Sequence, residues 1–393
     1  VTKRPTRPRP VIVDWSAISP FGIGREAFLA GMSSGGATDC VPAEDGAIPR
    51  TRARMAGQFE TRTALGRKGT RSMDRLTALT VATAGQLVER CADLTGSPGQ
   101  DGGAPADVLP GRALVLGTTT GSAQSMMDFT RSSLTGDRPY HVDPARFPNT
   151  VMNCAAGQAA IWHRLKGPNV TVGGGRAAGL LALNYARRLQ ATGRASSVLC
   201  GAAEEYSPAR AWLQHHTGDA GGADSVLGEG CAMLRVEPSE QAPDSAFADV
   251  LALEFGVFDG VNQVAAVLRQ CLHTALGNAD VTPAELWRVA TSGAPGALGS
   301  GEHAALDALL ADSAADRVSC ADFLGDTAAV AAAFQVVSVL AMAETEPADA
   351  PRTALITSVD RDGVAGCAVL SLRPTPSGGY GPSTPPIAAT TQQ

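Results

Sequence analysis

The segment that most constrains the fold runs from Gly167 to Leu189. It reads Gly167-Pro-Asn-Val-Thr-Val-Gly-Gly-Gly-Arg176-Ala-Ala-Gly179 and continues into Leu180-Leu-Ala-Leu-Asn-Tyr-Ala-Arg-Arg-Leu189. A β-rich run, a cluster of glycines and an apolar periodic run spell a strand, a tight turn and a buried helix. Glycines ahead of the apex permit backbone angles that a side chain would forbid, and the helix N-terminus behind it is a positive end suited to a thiolate. This is the geometry of a nucleophile elbow. At its apex stands Arg176, which offers no nucleophile and whose charge sits badly at a positive helix end.

The chain has 393 residues, enough for two ordinary domains or one large duplicated fold with an ample core. A net charge of -6 argues against a nucleic-acid partner, which needs a concentrated basic surface. The one basic cluster, Lys3-Arg4-Pro5-Thr6-Arg7-Pro8-Arg9-Pro10, reads as a solvated, extended arm because its prolines alternate. It lacks the apolar stretch of a signal peptide. Eight cysteines lie far apart with no CxxC or CxxxC pair, so we read them as reduced, mostly buried residues of a cytoplasmic protein, without disulfides or a metal site. The longest apolar stretch, from Ala328 to Ala343, is interrupted by Gln335 and Ser338 and is shorter than the ~20 residues of a membrane span. It reads as a helix buried on all sides, and no membrane association is expected.

Along the chain, strand and helix signals alternate. A strand from Val11 enters a Pro/Gly loop and a helix from Arg25 to Met32, and a polar stretch from Ser33 to Thr70 reads as a long surface loop. Helical spacing returns from Met73 to Arg90, a loop by composition covers Ser97 to Pro105, and strand Ala113–Gly117 leads through Thr118-Thr-Thr-Gly-Ser122 into a helix from Ala123 to Leu134. Strands follow at Ser197–Gly201 and Cys231–Val236. After a Pro/Ser/Glu-rich connection from Glu237 to Ser245, the order repeats: strand Ala248–Phe255, helix Val264–Leu276, strand Leu286–Ala290, apolar helix Ala328–Ala343, strands Thr353–Thr357 and Gly366–Leu372. This alternation implies βαβ units with buried sheets. The Pro/Ser/Thr/Gly-rich tail from Pro374 to Gln393 reads as disordered.

Several phrases stand in a telling order: Phe147-Pro-Asn-Thr-Val-Met-Asn153, Leu165-Lys-Gly-Pro-Asn169, the elbow itself, Gly201-Ala-Ala-Glu-Glu-Tyr-Ser207 and Leu227-Gly-Glu-Gly230. Together they resemble the β-ketoacyl synthases, the condensing enzymes of fatty acid and polyketide assembly. The resemblance covers about Val11 to Leu372. It implies an α/β, thiolase-like fold with duplicated βαβαβαββ halves in a five-layered α/β/α/β/α sandwich. The expected division is a flexible arm at 1–10, halves at 11–245 and 246–373, and a disordered tail at 374–393.

In that family the apex is a reactive cysteine, assisted by one histidine in an HGT-type loop and another in a GH dipeptide before a buried helix. Here the first loop matches Ala290-Thr291-Ser292-Gly293, with Thr291 at the histidine to within one position, and the second matches Phe323-Leu-Gly325-Asp326, with Asp326 at the histidine. A lysine that usually precedes this site is missing around Cys320-Ala321-Asp322. All six histidines, His141, His163, His215, His216, His273 and His303, fall elsewhere. No thiol, general base or carbonyl-polarising pair remains. Glu204 and Glu205 could suggest acid-base carboxylates, but without a histidine or metal partner a loop or interface role is preferred.

The pattern resembles the chain-length factor, the nonreactive partner of the ketosynthase in type II polyketide synthases, although most of these carry glutamine at the apex. A decarboxylating variant of the family also carries glutamine but keeps both histidines. The resemblance implies a heterodimer with a catalytic ketosynthase, contact with an acyl carrier protein mainly through that partner, and no cofactor. Alternatives are a stand-alone acyltransferase or decarboxylase with another nucleophile, and a homodimeric acyl-binding scaffold. By position, Ala123, Met126 and Thr130 are expected to line an acyl tunnel on one helix face. Phe147, Met152 and Asn153, with a sheet edge near Ser197–Gly201, are expected at the interface. Arg176 and Asp326 are expected to converge, since a buried arginine needs an acid.

Overall fold

The computed structural model describes residues 9–36, 41–42, 52–94, 111–217, 226–346 and 348–374. An eleven-stranded sheet runs Asp316–Ser319, Leu286–Thr291, Arg352–Asp360, Val364–Leu372, Ala248–Val257, Pro10–Ser19, Gly230–Pro238, Ser197–Glu204, Arg112–Thr118, Asn169–Gly173, with the short Gly22–Ile23 off this path against Pro10–Ser19. The order is a duplication about its middle. In each half three parallel strands are followed by two antiparallel ones. The halves join where Val11 faces Asp249 and Ile12 faces Ala248, antiparallel.

The strands alternate faces, and each face has its own core. Strand Ser197–Glu204 sends Val198, Cys200 and Ala202 to an inner core and Leu199 and Ala203 to an outer one. The inner core holds helices Ala178–Ala191 and Ala331–Thr345 between the two halves of the sheet. One outer core holds helices Arg75–Leu94 and Cys154–Trp162, and the other holds Val264–Ala279 and Gly296–Leu309. These are the five layers of the expected thiolase-like α/β fold. The two central helices meet closely at Gly179, where a Cβ would stand 2.5 Å from the Ala333 backbone nitrogen.

The helix Ala331–Thr345 is apolar all round because it is covered all round. By length and composition the stretch Ala328–Thr345 could cross a membrane, but 78% of it is buried inside this fold. Of its two buried polar side chains, Gln335 donates Nε2 to the carbonyls of Ala290 and Thr357, both at 2.8 Å, and Ser338 meets Cys320 Sγ at 3.2 Å. Of the seven described cysteines six are buried and Cys154 is half-buried.

Two expectations are corrected. The strand at Ser197–Gly201 is not a sheet edge: it lies between Arg112–Thr118 and Gly230–Pro238, and its run of small apolar residues fits a central strand buried on both faces. The edge in that half is Asn169–Gly173. The stretch from 33 to 70 is more than surface loop, because Arg52–Arg54 pairs in parallel with Val226–Gly228, Thr61–Leu65 is helical, and Ala56 and Phe59 are buried. Residues 1–8 of the basic arm, Cys40, the loop from Ser97 to Pro105 and the tail beyond Pro374 lie outside the described residues.

Candidate functional site

The edge strand Asn169–Gly173 turns through a 3-10 segment, Gly175–Ala177, into the central helix Ala178–Ala191. Gly175 takes φ +47°, the left-handed region that glycine tolerates best. At the apex Arg176 is 8% exposed. Its backbone N–H donates to Asp360 Oδ2 at 2.7 Å, and its Nη2 donates to Asp326 Oδ2 at 2.5 Å. The elbow is therefore built as the sequence implies, with the arginine turned inward onto the acid expected for it.

Asp326 is held as firmly as its partner. Its backbone N–H donates to Val226 O at 2.7 Å and its carbonyl accepts from Gly228 N at 2.8 Å, which ties the loop to the strand Val226–Gly228. Arg210, also buried, donates Nη2 to the Asp326 carbonyl at 2.7 Å and Nη1 to the Gly228 carbonyl at 2.6 Å. Asp326 Oδ1 accepts from the Ala328 N–H at 3.0 Å. Burial pushes the Asp326 carboxyl up, but the guanidinium of Arg176 and then that of Arg210 outweigh it, and the group ends below its ordinary value. Asp326 is an ionised partner, not a proton donor.

Thr291 ends its strand buried, and its Oγ1 donates to the Val318 carbonyl at 3.4 Å. The next residue, Ser292, donates its N–H at 2.9 Å to Glu302, which also accepts from Thr357 Oγ1 at 2.5 Å. Thr291 thus bonds to the neighbouring strand, and Ser292 beside it joins a hydroxyl–carboxylate knot on Glu302 that fastens the strand ends.

The paired glutamates are not surface groups, although Glu205 lies in the connection after its strand. Glu204 is buried as the last residue of strand Ser197–Glu204, and Glu205 is buried just beyond it. Glu204 accepts from Thr119 Oγ1 at 2.5 Å, and burial holds its carboxyl above the usual range. Glu205 accepts from Ser122 Oγ at 2.9 Å and from the Leu76 N–H at 3.2 Å, so it bridges the N-terminal ends of helices Ala123–Thr135 and Arg75–Leu94. Burial first, and then the charge of Asp74, push Glu205 up to about 7. Glu229, from the Leu227-Gly-Glu-Gly230 phrase, accepts Arg75 Nε at 2.8 Å and the N–H groups of Ala56 at 2.9 Å and Tyr206 at 3.1 Å. Among the described residues no group of histidine, cysteine, aspartate and glutamate is placed to hold a metal.

Ala123, Met126 and Thr130 share one helix face, but only Ala123 is buried, at 4% exposure; Met126 and Thr130 are exposed. Phe147, Met152 and Asn153 are all exposed. The Phe147 ring lies 5.8 Å from that of Phe129, which joins this segment to the helix. Sequence reasoning missed Arg210 and Asp360. Neither lies in a phrase that marks it, and Asp360 reaches Arg176 across 184 positions.

Residues 12–242 match a family model described as the N-terminal domain of beta-ketoacyl synthase. A 3-oxoacyl-[acyl-carrier-protein] synthase 2 of Rhizobium meliloti is 25% identical over 260 residues, covering 58% of this chain and 61% of the relative. The synthase of the same description from Vibrio harveyi is 30% identical over 104 residues, 26% of this chain and 25% of the relative. The chain thus spans less than two thirds of these curated relatives. Among solved structures, a chain of the ishigamide ketosynthase/chain length factor is 41% identical, covers 93% of this chain and 99% of its own, and superposes with a TM-score of 0.81. A beta-ketoacyl synthase from Burkholderia phymatum shares the fold at 19% identity, with a TM-score of 0.75 over 94% of this chain and 100% of its own.

Proposed function

This chain belongs to the β-ketoacyl synthase family as a ketosynthase-like member of the chain-length-factor kind, and from that premise we propose that it condenses nothing itself. It pairs in the cytoplasm with a catalytic ketosynthase and shapes the tunnel in which a polyketide grows on an acyl carrier protein. One observation carries the reading: a complete condensing-enzyme elbow has its apex filled by Arg176 and closed by Asp326. A thioester entering such a site meets a guanidinium engaged with a carboxylate, with no thiol to take the acyl group.

The surface supports a subunit role. Leu134 is 79% exposed and Phe147 57% exposed, with Met126, Met127, Val151 and Met152 also open to solvent around them. Apolar side chains gathered on one helix and its adjoining segment mark a surface meant to be covered. The edge strand Asn169–Gly173 adds unpaired backbone to the same half. A partner seated here covers the helix Ala123–Thr135, so the face carrying Ala123, Met126 and Thr130 would border a shared cavity.

The test is reconstitution. The purified chain is supplied with malonyl-loaded carrier protein, alone and together with an intact ketosynthase of a type II system. The expected result is no ketide product alone and elongation only in the complex. Turnover by the chain alone would instead favour the stand-alone enzyme.

A further inference from the structure

The apex of the elbow is closed twice, and the second closure is independent of the arginine side chain. Asp360 ends the strand Arg352–Asp360 and is 5% exposed. Its two carboxylate oxygens are divided between two backbone donors. Oδ1 accepts from the Asp362 N–H at 2.9 Å within its own hairpin turn, and Oδ2 accepts from the Arg176 N–H at 2.7 Å. The carboxylate is laid directly over Gly175, where an added Cβ would stand 2.1 Å from Oδ2, 2.3 Å from Cγ and 2.5 Å from Oδ1. Only a residue without a side chain lets the acid come so close.

A backbone N–H at the apex of an elbow, at the start of a helix, is a natural donor to an oxyanion. In an acyl transfer the developing negative oxygen needs such a donor. Here a carboxylate oxygen of the chain itself already has it. We propose that the Arg176 amide and the space over Gly175 form a carboxylate-binding position whose occupant is the chain's own Asp360. The elbow is then barred to an acyl group by an internal anion as well as by the loss of its nucleophile. The proposal deepens the reading of the chain as non-condensing, but its test reads anion-dependent stability and makes no use of chain elongation, so either can fail without the other.

If Asp360 is the occupant, removing its carboxylate leaves a site of the same chemistry, and a small carboxylate should refill it. The probe is formate, compared with chloride at equal ionic strength, and the readout is the thermal midpoint of the full chain. Asp360→Ala should melt several degrees below the parent chain in chloride and recover a substantial part of that loss in formate, while the parent chain shows no difference between the salts. In the double variant Gly175→Ala with Asp360→Ala, a methyl takes the place of the carboxylate, and formate should do no more than chloride. Where Asp360→Ala does not fold in chloride, its refolding yield in formate against chloride gives the same comparison. Formate dependence in Asp360→Ala alone supports the proposal. Equal behaviour of Asp360→Ala in the two salts, or formate stabilising the double variant to the same degree, overturns it.

Discussion

A guanidinium taken out of water costs several kcal/mol unless it meets a well-placed acceptor, and Arg176 meets one in Asp326. Both side chains are largely buried, so removing the cation strands the anion. Arg176→Ala should lower the unfolding free energy by ~3 kcal/mol, toward the low end for a broken buried pair because Arg210 stays near the orphaned carboxylate. Denaturant titration at pH 7 measures it, and a loss within error of zero would contradict the pairing. The same pair sets an acid limit. The folded Asp326 is held below its ordinary value of 3.8, so its contribution is present above that value and is lost as pH falls through the lower folded one. Without Arg176 the folded value rises and less of that contribution remains. Arg176→Ala should therefore unfold at a higher pH than the parent chain in acid titrations followed by far-UV dichroism.

At the scale of elements, the helix Ala123–Thr135 is seated by a buried acid. Glu205 binds Ser122 at its N-cap and the Leu76 N–H in the helix Arg75–Leu94, and its proton leaves only near pH 7. The folded value lies above the ordinary 4.5, so the folded chain binds more protons between the two values, and stability falls as pH rises from about 4.5 through about 7. Glu205→Gln fixes the neutral form. It should gain on the order of 2 kcal/mol relative to the parent chain at pH 8 and little at pH 5, a contrast that paired denaturant melts would expose or refute. Ala123, buried one position after that cap, is where bulk should tell on the product. Ala123→Phe in the reconstituted heterodimer should shorten the ketide chain, and an unchanged product distribution would remove this helix face from the tunnel.

These elements also mark how far the sequence could be read. Strands and central helices were legible because burial on all sides leaves predominantly apolar runs, as at Ala331–Thr345. The Arg176–Asp326 contact was legible because a buried cation demands an acid and the resemblance supplied a position for it. The order of strands was not: Ser197–Gly201 carries nothing in its own residues to tell a central strand from an edge, since that depends on partners far along the chain. Helices Cys154–Trp162, Pro208–His216 and Gly296–Leu309 escaped notice because alanine and glycine blur their periodicity or because they are short. Asp360 escaped for a different reason, as its role exists only where Gly175 leaves room for it.

For the whole molecule, duplication makes the shape independent of which side chain stands at the apex of the elbow. Two halves of the same strand order enclose two central helices, and the bonds from Arg176 to Asp326 and to Asp360 both run from one half to the other. The apex of the elbow fastens the halves together. A protomer with Leu134 and Phe147 this exposed should not remain alone in solution. Sedimentation of the chain co-expressed with a ketosynthase should give a stable heterodimer, and a well-behaved monomer at micromolar concentration in that mixture would count against it. The central claim, that this subunit carries no acyl group, is tested most directly by intact mass. The reconstituted pair is incubated with acyl-loaded carrier protein and each subunit is weighed under denaturing conditions. The account predicts an acyl increment on the ketosynthase and none on this chain; an acyl adduct on this chain would contradict it.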